Sequence, residues 1–184
     1  MKQHTTMTLG LTLGLFQTFT TTTAQTTSAT VSSVPVSVRI QVPTTLALTN
    51  AGLAFGDVFS NVTGGNLILD PATDLRTTTG GLTLGTLSPA NAAVFKVGGS
   101  RNASFSITLP ANGAVTLTGP GVAMVLNAFT AAIGSTTLTA PLVGLLPNVA
   151  GATLSFKVGA TLAIPANQVD GTYVGAFAVT VAYN

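Results

Sequence analysis

Between residues 34 and 42 an apolar side chain falls on every second position. Val34, Val36, Val38, Ile40 and Val42 alternate with Pro35, Ser37, Arg39 and Gln41. Successive side chains of a β-strand point to opposite faces, so this period gives a strand one apolar face and one polar face, which no helix of 3.6 residues per turn reproduces. The same period returns along the chain. Phe95 and Val97 share a phase, as do Phe105, Ile107 and Leu109, then Val115 and Leu117. The longest run sets Leu154, Phe156, Val158, Leu162 and Ile164 in one phase, with Gly159-Ala160 in its middle predicting a bulge or a change of sheet. The last run carries Tyr173, Phe177, Val179, Val181 and Tyr183.

Composition removes the alternative. Glu is absent, Lys and Arg total 6, and Thr, Val, Gly and Ala dominate, a mixture that favours pleated surfaces over helices. Breaks arrive at short intervals: Gly64-Gly65, Gly80-Gly81, Gly98-Gly99, Asn112-Gly113, Pro147-Asn148 and Asp170-Gly171. Short strands between such breaks predict an all-β sandwich. Residues 122–134 are the one stretch with a helical look. Gly121 and Gly134 fence in a Val-rich segment there, which predicts a strand. Phe55, Phe95, Phe105, Phe156 and Phe177 lie in strand phase with aliphatic residues and are predicted core.

At the N-terminus, residues 1–24 have the form of a secretory signal peptide: Lys2, a short apolar stretch from Met7 to Phe19, and small Thr22 and Ala24 before a cut at Gln25. The stretch falls short of the roughly 20 apolar residues of a membrane span. The expectation is export, with no membrane insertion of the mature chain. The Thr/Ser-rich residues 20–33 predict a loosely ordered mature start. The chain has no cysteine, so in an oxidising compartment its stability would come from packing and backbone pairing alone.

Several classes of chemistry lack their residues. The single histidine, His4, lies in the leader, and no Cys or Glu is present to act as nucleophile, base or metal ligand, so the chain is not expected to be an enzyme or to hold a cofactor. Arg39, Arg76, Lys96, Arg101 and Lys157 are scattered, with no cluster to meet a run of phosphates, so nucleic acid is not an expected partner. Asp70 and Asp74 share the sequence DPATD, which reads either as a calcium loop or as a proline-assisted turn with Asp as acceptor; the turn is the expectation. Asn61-Val62-Thr63 and Asn102-Ala103-Ser104 match the glycosylation sequon, a triplet that arises readily in a Thr-rich chain.

The two ends suggest a pair. Residues 34–42 offer a strand in front of a further strand region at 44–59, and the final run ends without a partner for its far edge. An exposed apolar edge is a hazard unless something covers it. A strand from another copy would cover it, with backbone bonds for affinity and alternate side chains for register. Such a head-to-tail contact builds an open filament. On alternation alone, residues 34–42 serve equally well as the first strand of their own sandwich. An outer-membrane barrel fits poorly, because the aromatic residues do not form girdles at two rims.

The segments Leu53-Ala-Phe-Gly56, DPATDLRTTTGGLTL, SFSITLP and FKVGATLAIPANQVDGTYVGAFAVTVAYN resemble a bacterial secreted family of unknown function whose members are similar to pilins and accompany fimbrial chaperones. The terminal pattern Gly171, Tyr173, Phe177, Val179, Thr180, Val181, Tyr183 is also similar to the last strand of archaic, spore-coat-like chaperone–usher pilins. This resemblance implies an incomplete immunoglobulin-like β-sandwich over residues 44–184, behind a donor extension at 25–43. Val34, Val36, Val38, Ile40 and Val42 would be the donor residues, and Phe177, Val179, Val181 and Tyr183 the acceptor strand. The implied partners are a periplasmic chaperone, an outer-membrane usher and copies of the chain, and the implied place is a surface fimbria. Two departures stand out. Many pilins carry a disulfide and this chain has none, and Pro35 lacks the N–H of a ladder residue, which shortens the effective donor to 36–42. The rival reading is a monomeric secreted sandwich that binds a ligand or coats the cell.

Overall fold

A computed structural model describes residues 35–184. Residues 1–34, which include the expected signal peptide and Val34, lie outside the described residues, and the chain separates into two units, Met1–Val38 and Arg39–Asn184. In the first, residues 35–38 form no regular element. In the second, the described residues form thirteen strands and no helix. They are β1 Thr45–Leu48, β2 Val58–Phe59, β3 Gly65–Leu69, β4 Arg76–Thr78, β5 Thr83–Leu84, β6 Ala93–Gly98, β7 Ser104–Thr108, β8 Val115–Leu117, β9 Met124–Ile133, β10 Thr136–Thr137, β11 Val143–Leu145, β12 Thr153–Ile164 and β13 Thr180–Tyr183. Every pairing is antiparallel. The all-β sandwich is what the alternation called for, and residues 122–134 supply β9 as expected.

β12 is the spine of the larger sheet. Its first half pairs with β6, from Thr153↔Gly98 to Val158↔Ala93, and its second half with β3, from Thr161↔Ile68 to Ile164↔Gly65. β9 pairs with residues from both halves, so it holds the opposite edge while β6 and β3 share the first edge in turn. The change of partner falls at Gly159-Ala160, where the sequence predicted an irregularity. A side chain at Gly159 would place its Cβ 2.2 Å from the Leu69 carbonyl oxygen, so only glycine lets the end of β3 pass. The bulge itself sits on the partner strand: Gly159↔Thr130 is followed by Thr161↔Asn127, which leaves Ala128 and Phe129 opposite Ala160 alone. Ala128 takes φ 46°, and its N–H donates to Asn112 Oδ1 at 2.7 Å.

One face of this sheet carries two apolar clusters. The first holds Leu67, Leu69, Leu126, Ala160, Leu162 and Ile164; the second holds Ala93, Val97, Ala131, Phe156 and Val158. A smaller sheet ordered β11-β7-β13 covers the second cluster with Phe105, Ile107, Leu146, Val181 and Tyr183. Over the first cluster the described residues form no such sheet. Its cover consists of Phe55, Leu82, the β2-β5 pair and the stretch around Tyr173 and Phe177. The second layer is therefore half a sheet and half loop. After β12 the chain crosses to this layer, and the crossing is pinned at Tyr173, whose hydroxyl donates to Val169 O and accepts from Gly121 N, both at 2.8 Å. A tyrosine whose hydroxyl bonds the backbone four residues upstream resembles the tyrosine corner known from β-sandwiches, though here it lies in the crossing, ahead of β13 at Thr180.

Candidate functional site: an apolar groove in the second layer

Where the second layer lacks a sheet, it has a groove of about 640 Å³. One wall is residues 51–56 with Leu48; the other is residues 173–177. Its floor is the inner face of the large sheet, with Ala93, Phe95, Val115, Leu117 and Leu126. A second depression of about 340 Å³ continues past Ala176 and Phe177 to Leu109, Pro110 and Thr180. Phe177 stands between the two core clusters, 5.2 Å from the Phe129 ring and 6.4 Å from that of Phe95, centroid to centroid. Of the five phenylalanines expected in the core, Phe55, Phe105 and Phe156 are buried, while Phe95 and Phe177 stay half-buried because the groove opens above them.

The chemistry of the lining is uniform. Every groove residue is Gly, Ala, Val, Leu or Phe except Tyr173, and its hydroxyl is already committed to Gly121 and Val169. Small-molecule sites of this size converge a few polar groups to orient a ligand. Here the polar atoms are those of the backbone. On the C-terminal wall Val174 exchanges both backbone bonds with Thr118, at 2.9 and 2.8 Å, and β13 resumes pairing with β7 at Thr180. Among the described residues, no backbone–backbone bond is made by residues 175–179. The groove thus offers apolar depressions beside a stretch of unpaired main chain, which is the chemistry that recognises a β-strand.

The N-terminal wall is held by side chains. Ala54 exchanges backbone bonds with Asn91 at 2.9 Å, Asn91 Nδ2 donates to Gly52 O at 2.6 Å, and Asn50 Oδ1 accepts from Gly52 N and Val94 N. Arg76 grips the far end: Nη1 donates to Phe55 O and Asp57 O, each at 2.9 Å, and Nη2 to Gly85 O at 2.7 Å. The planar guanidinium bonds three carbonyls, those of Asp57 and Gly85 at the end of the β2-β5 pair and that of Phe55 in the wall. The Asp57 carboxylate binds the next loop, accepting from Leu87 N at 2.9 Å and from Ser88 N. The Leu87 N–H, then Ser88, hold its carboxyl below the ordinary carboxylate value. Sequence reasoning read Arg76 only as one of several scattered cations. Its partners are three backbone carbonyls brought together by folding, and no motif announces them.

The sequence-predicted site residues distribute unevenly. Val34 lies outside the described residues. Val36 and Val38 in the first unit, and Ile40 in the second, are 92%, 85% and 88% exposed and belong to no strand. Val42 is 57% exposed and has both backbone groups engaged, its N–H on Ser100 Oγ at 2.7 Å and its C=O on the Tyr183 hydroxyl at 2.5 Å. On the acceptor side the expected strand is shorter than its sequence period: β13 starts only at Thr180, so Phe177 and Val179 precede it. Phe177 lines the groove, while Val179, Val181 and Tyr183 pack against the second cluster. The reason is the partner: β7 ends at Thr108, and among the described residues none continues the ladder past Thr180 on that side. In DPATD the turn is what forms. Asp70 O accepts from Asp74 N at 2.9 Å and Asp70 Oδ1 from Ala72 N at 2.9 Å, while Asp74 turns away to Lys157 Nζ and Ala92 N.

The sequence profile of a protein family described as "Domain of unknown function (DUF4402)" matches residues 46–183, which contain the groove and both its walls. No curated protein and no solved structure matches the chain.

Proposed function

The chain belongs to the DUF4402 family, and from the open groove of its fold we propose that it is a structural subunit of a bacterial surface fimbria, joined to the next copy by strand donation. One observation carries this reading: a β-sandwich with an apolar groove in its second layer, beside residues 175–179, whose backbone makes no backbone bond among the described residues. The same chain carries the matching part, an alternating segment at 36–42 that forms no strand of its own. Each Val or Ile side chain moved from water into the groove contributes about 1.5–3 kcal/mol. The donor brings its own backbone N–H and C=O groups, which the groove's lining side chains do not supply. A periplasmic chaperone would guard the groove before assembly, an usher would pass the subunit outward, and residues 1–24 would direct export. Each of these partners follows from the resemblance to pilins.

A gel of native surface material in sodium dodecyl sulfate, boiled and unboiled, tests the proposal. The expected result is a ladder of linked subunits that collapses to monomer on heating. The variant Ile40→Asp should lose the ladder, since it would bury a charge with no partner. A single monomer band for the unaltered protein in both lanes would replace this reading by the self-complete secreted sandwich.

A further inference from the structure

The root of the extension is held by a small closed set of bonds. The Tyr183 hydroxyl accepts from Ser100 N at 2.8 Å and donates to Val42 O at 2.5 Å, and the Ser100 hydroxyl accepts from Val42 N at 2.7 Å. Both backbone groups of Val42 are thereby occupied by the body of its own chain. The site is built for this: a Cβ at Gly99 would lie 2.2 Å from the Tyr183 hydroxyl oxygen, so only glycine leaves room for the phenol. Pro43 follows immediately and biases Val42 toward an extended backbone.

This clasp sits at a place that matters for assembly. Tyr183 is the last residue of β13, and the groove lies further back along the same wall, at residues 173–177. A strand of eight residues spans about 26 Å. If the chain reversed direction at Val42 and Pro43, residues 34–41 would be long enough to run back beside residues 175–182 and enter their own groove. Such a hairpin would satisfy the groove without any second copy. It needs Val42 free to turn.

We propose, on the strand-donation reading above, that Tyr183 and Ser100 are positioning residues that hold Val42 extended and so keep the donor out of its own groove, directing it to a second copy. Neither residue needs to contact the incoming donor for this role. The clasp decides between closure within one chain and exchange between chains, because a hairpin at Val42 must first give up its bonds.

The test uses the full chain with Tyr183→Phe and Ser100→Ala combined, alongside each single change. Tyr183→Phe keeps the ring that packs against Val181 and its neighbours and removes only the hydroxyl. Two measurements are made: the heat-sensitive ladder, and capture of a labelled synthetic peptide with the sequence of residues 34–42. The expected result for the double variant is a soluble monomer that captures peptide about tenfold less well than the unaltered chain, with a shortened ladder. If the double variant ladders and captures peptide as the unaltered chain does, the clasp has no such role. Should the double variant fail to fold, Ser100→Ala alone decides: weaker capture with a folded circular-dichroism spectrum supports the clasp, and unchanged capture overturns it. Failure of the underlying reading looks different, since the unaltered chain would then neither ladder nor bind the peptide.

Discussion

At the scale of single residues, the two tyrosines show how one amino acid can be read correctly for its ring and missed for its hydroxyl. Tyr173 and Tyr183 fall in the apolar phase of the last run, and both pack against a core cluster. Their hydroxyls do separate work. That of Tyr173 pins the crossing between layers through Gly121 and Val169, and that of Tyr183 ties down Val42. Tyr173→Phe leaves the ring in place but strips a partner from Gly121 N and Val169 O. The expected cost is about 1–3 kcal/mol, seen as a lower urea midpoint at unchanged slope. An unaltered midpoint would show that water replaces the hydroxyl without loss. Asn61 is a comparable case. Its triplet reads as a sequon, yet its side chain builds a turn, accepting from Thr63 N and Gly64 N at 3.0 and 2.9 Å and donating to Gly80 O at 3.2 Å.

At the scale of elements, the groove walls are kept apart by two different devices. Strand pairing holds the C-terminal wall through Thr118 at Val174 and through β7 from Thr180, and among the described residues no backbone bond holds the stretch between. The N-terminal wall has one exchanged backbone pair at Ala54 and depends on Asn50, Asn91 and Arg76 for the rest. A wall of this kind stays open because side chains satisfy its carbonyls, which frees it from needing a neighbouring strand. Arg76→Gln should therefore loosen the groove more than the fold. Stability should fall by about 1.5–3 kcal/mol, the range for hydrogen bonds to a charged group, and capture of the peptide of residues 34–42 should weaken by about tenfold or more. Arg76→Lys should recover only part of this, because an ammonium cannot reproduce the planar fork. Fluorescence anisotropy with the labelled peptide measures the affinity. Equal binding by all three proteins would detach Arg76 from the groove.

At the scale of the whole molecule, few charges are present, with 6 basic and 4 acidic residues, and those that pair are used to tie loops to the large sheet. Asp74 accepts from Lys157 Nζ and from Ala92 N, joining the loop after β3 to β12 and to the residue before β6. Partial burial pushes the Asp74 carboxyl upward, but Lys157 and the Ala92 N–H outweigh it and leave the group below its ordinary value of 3.8. Asp57 is lowered as well, by the Leu87 N–H first. Both groups bind a proton less readily in the folded chain, so acid favours unfolding. Their contribution is complete above about pH 5 and is lost as pH falls below about 4, through the depressed folded values. Urea denaturation between about pH 2 and pH 6 should show this fall, and Asp74→Asn should flatten part of it. A profile equally steep in Asp74→Asn would assign the acid sensitivity elsewhere.

The alternation of apolar residues determined by itself that the described residues are β, and which face of β7 and β12 is buried, because side-chain direction follows from the local backbone. It set Leu154, Phe156, Val158, Leu162 and Ile164 on one face, of which all but the half-buried Leu154 are buried, and it flagged Gly159-Ala160 before any partner was known. It could not determine where a ladder ends, since that depends on a second strand: β13 begins at Thr180 because β7 stops at Thr108. Nor could it reveal the half-built second layer, the grip of Arg76 on three carbonyls or the clasp on Val42. Those join residues from 9 to 141 positions apart in sequence. The tertiary structure alone decided them, because hydrogen-bond partners at such separations are set by how the sheets pack and leave no local periodicity to read.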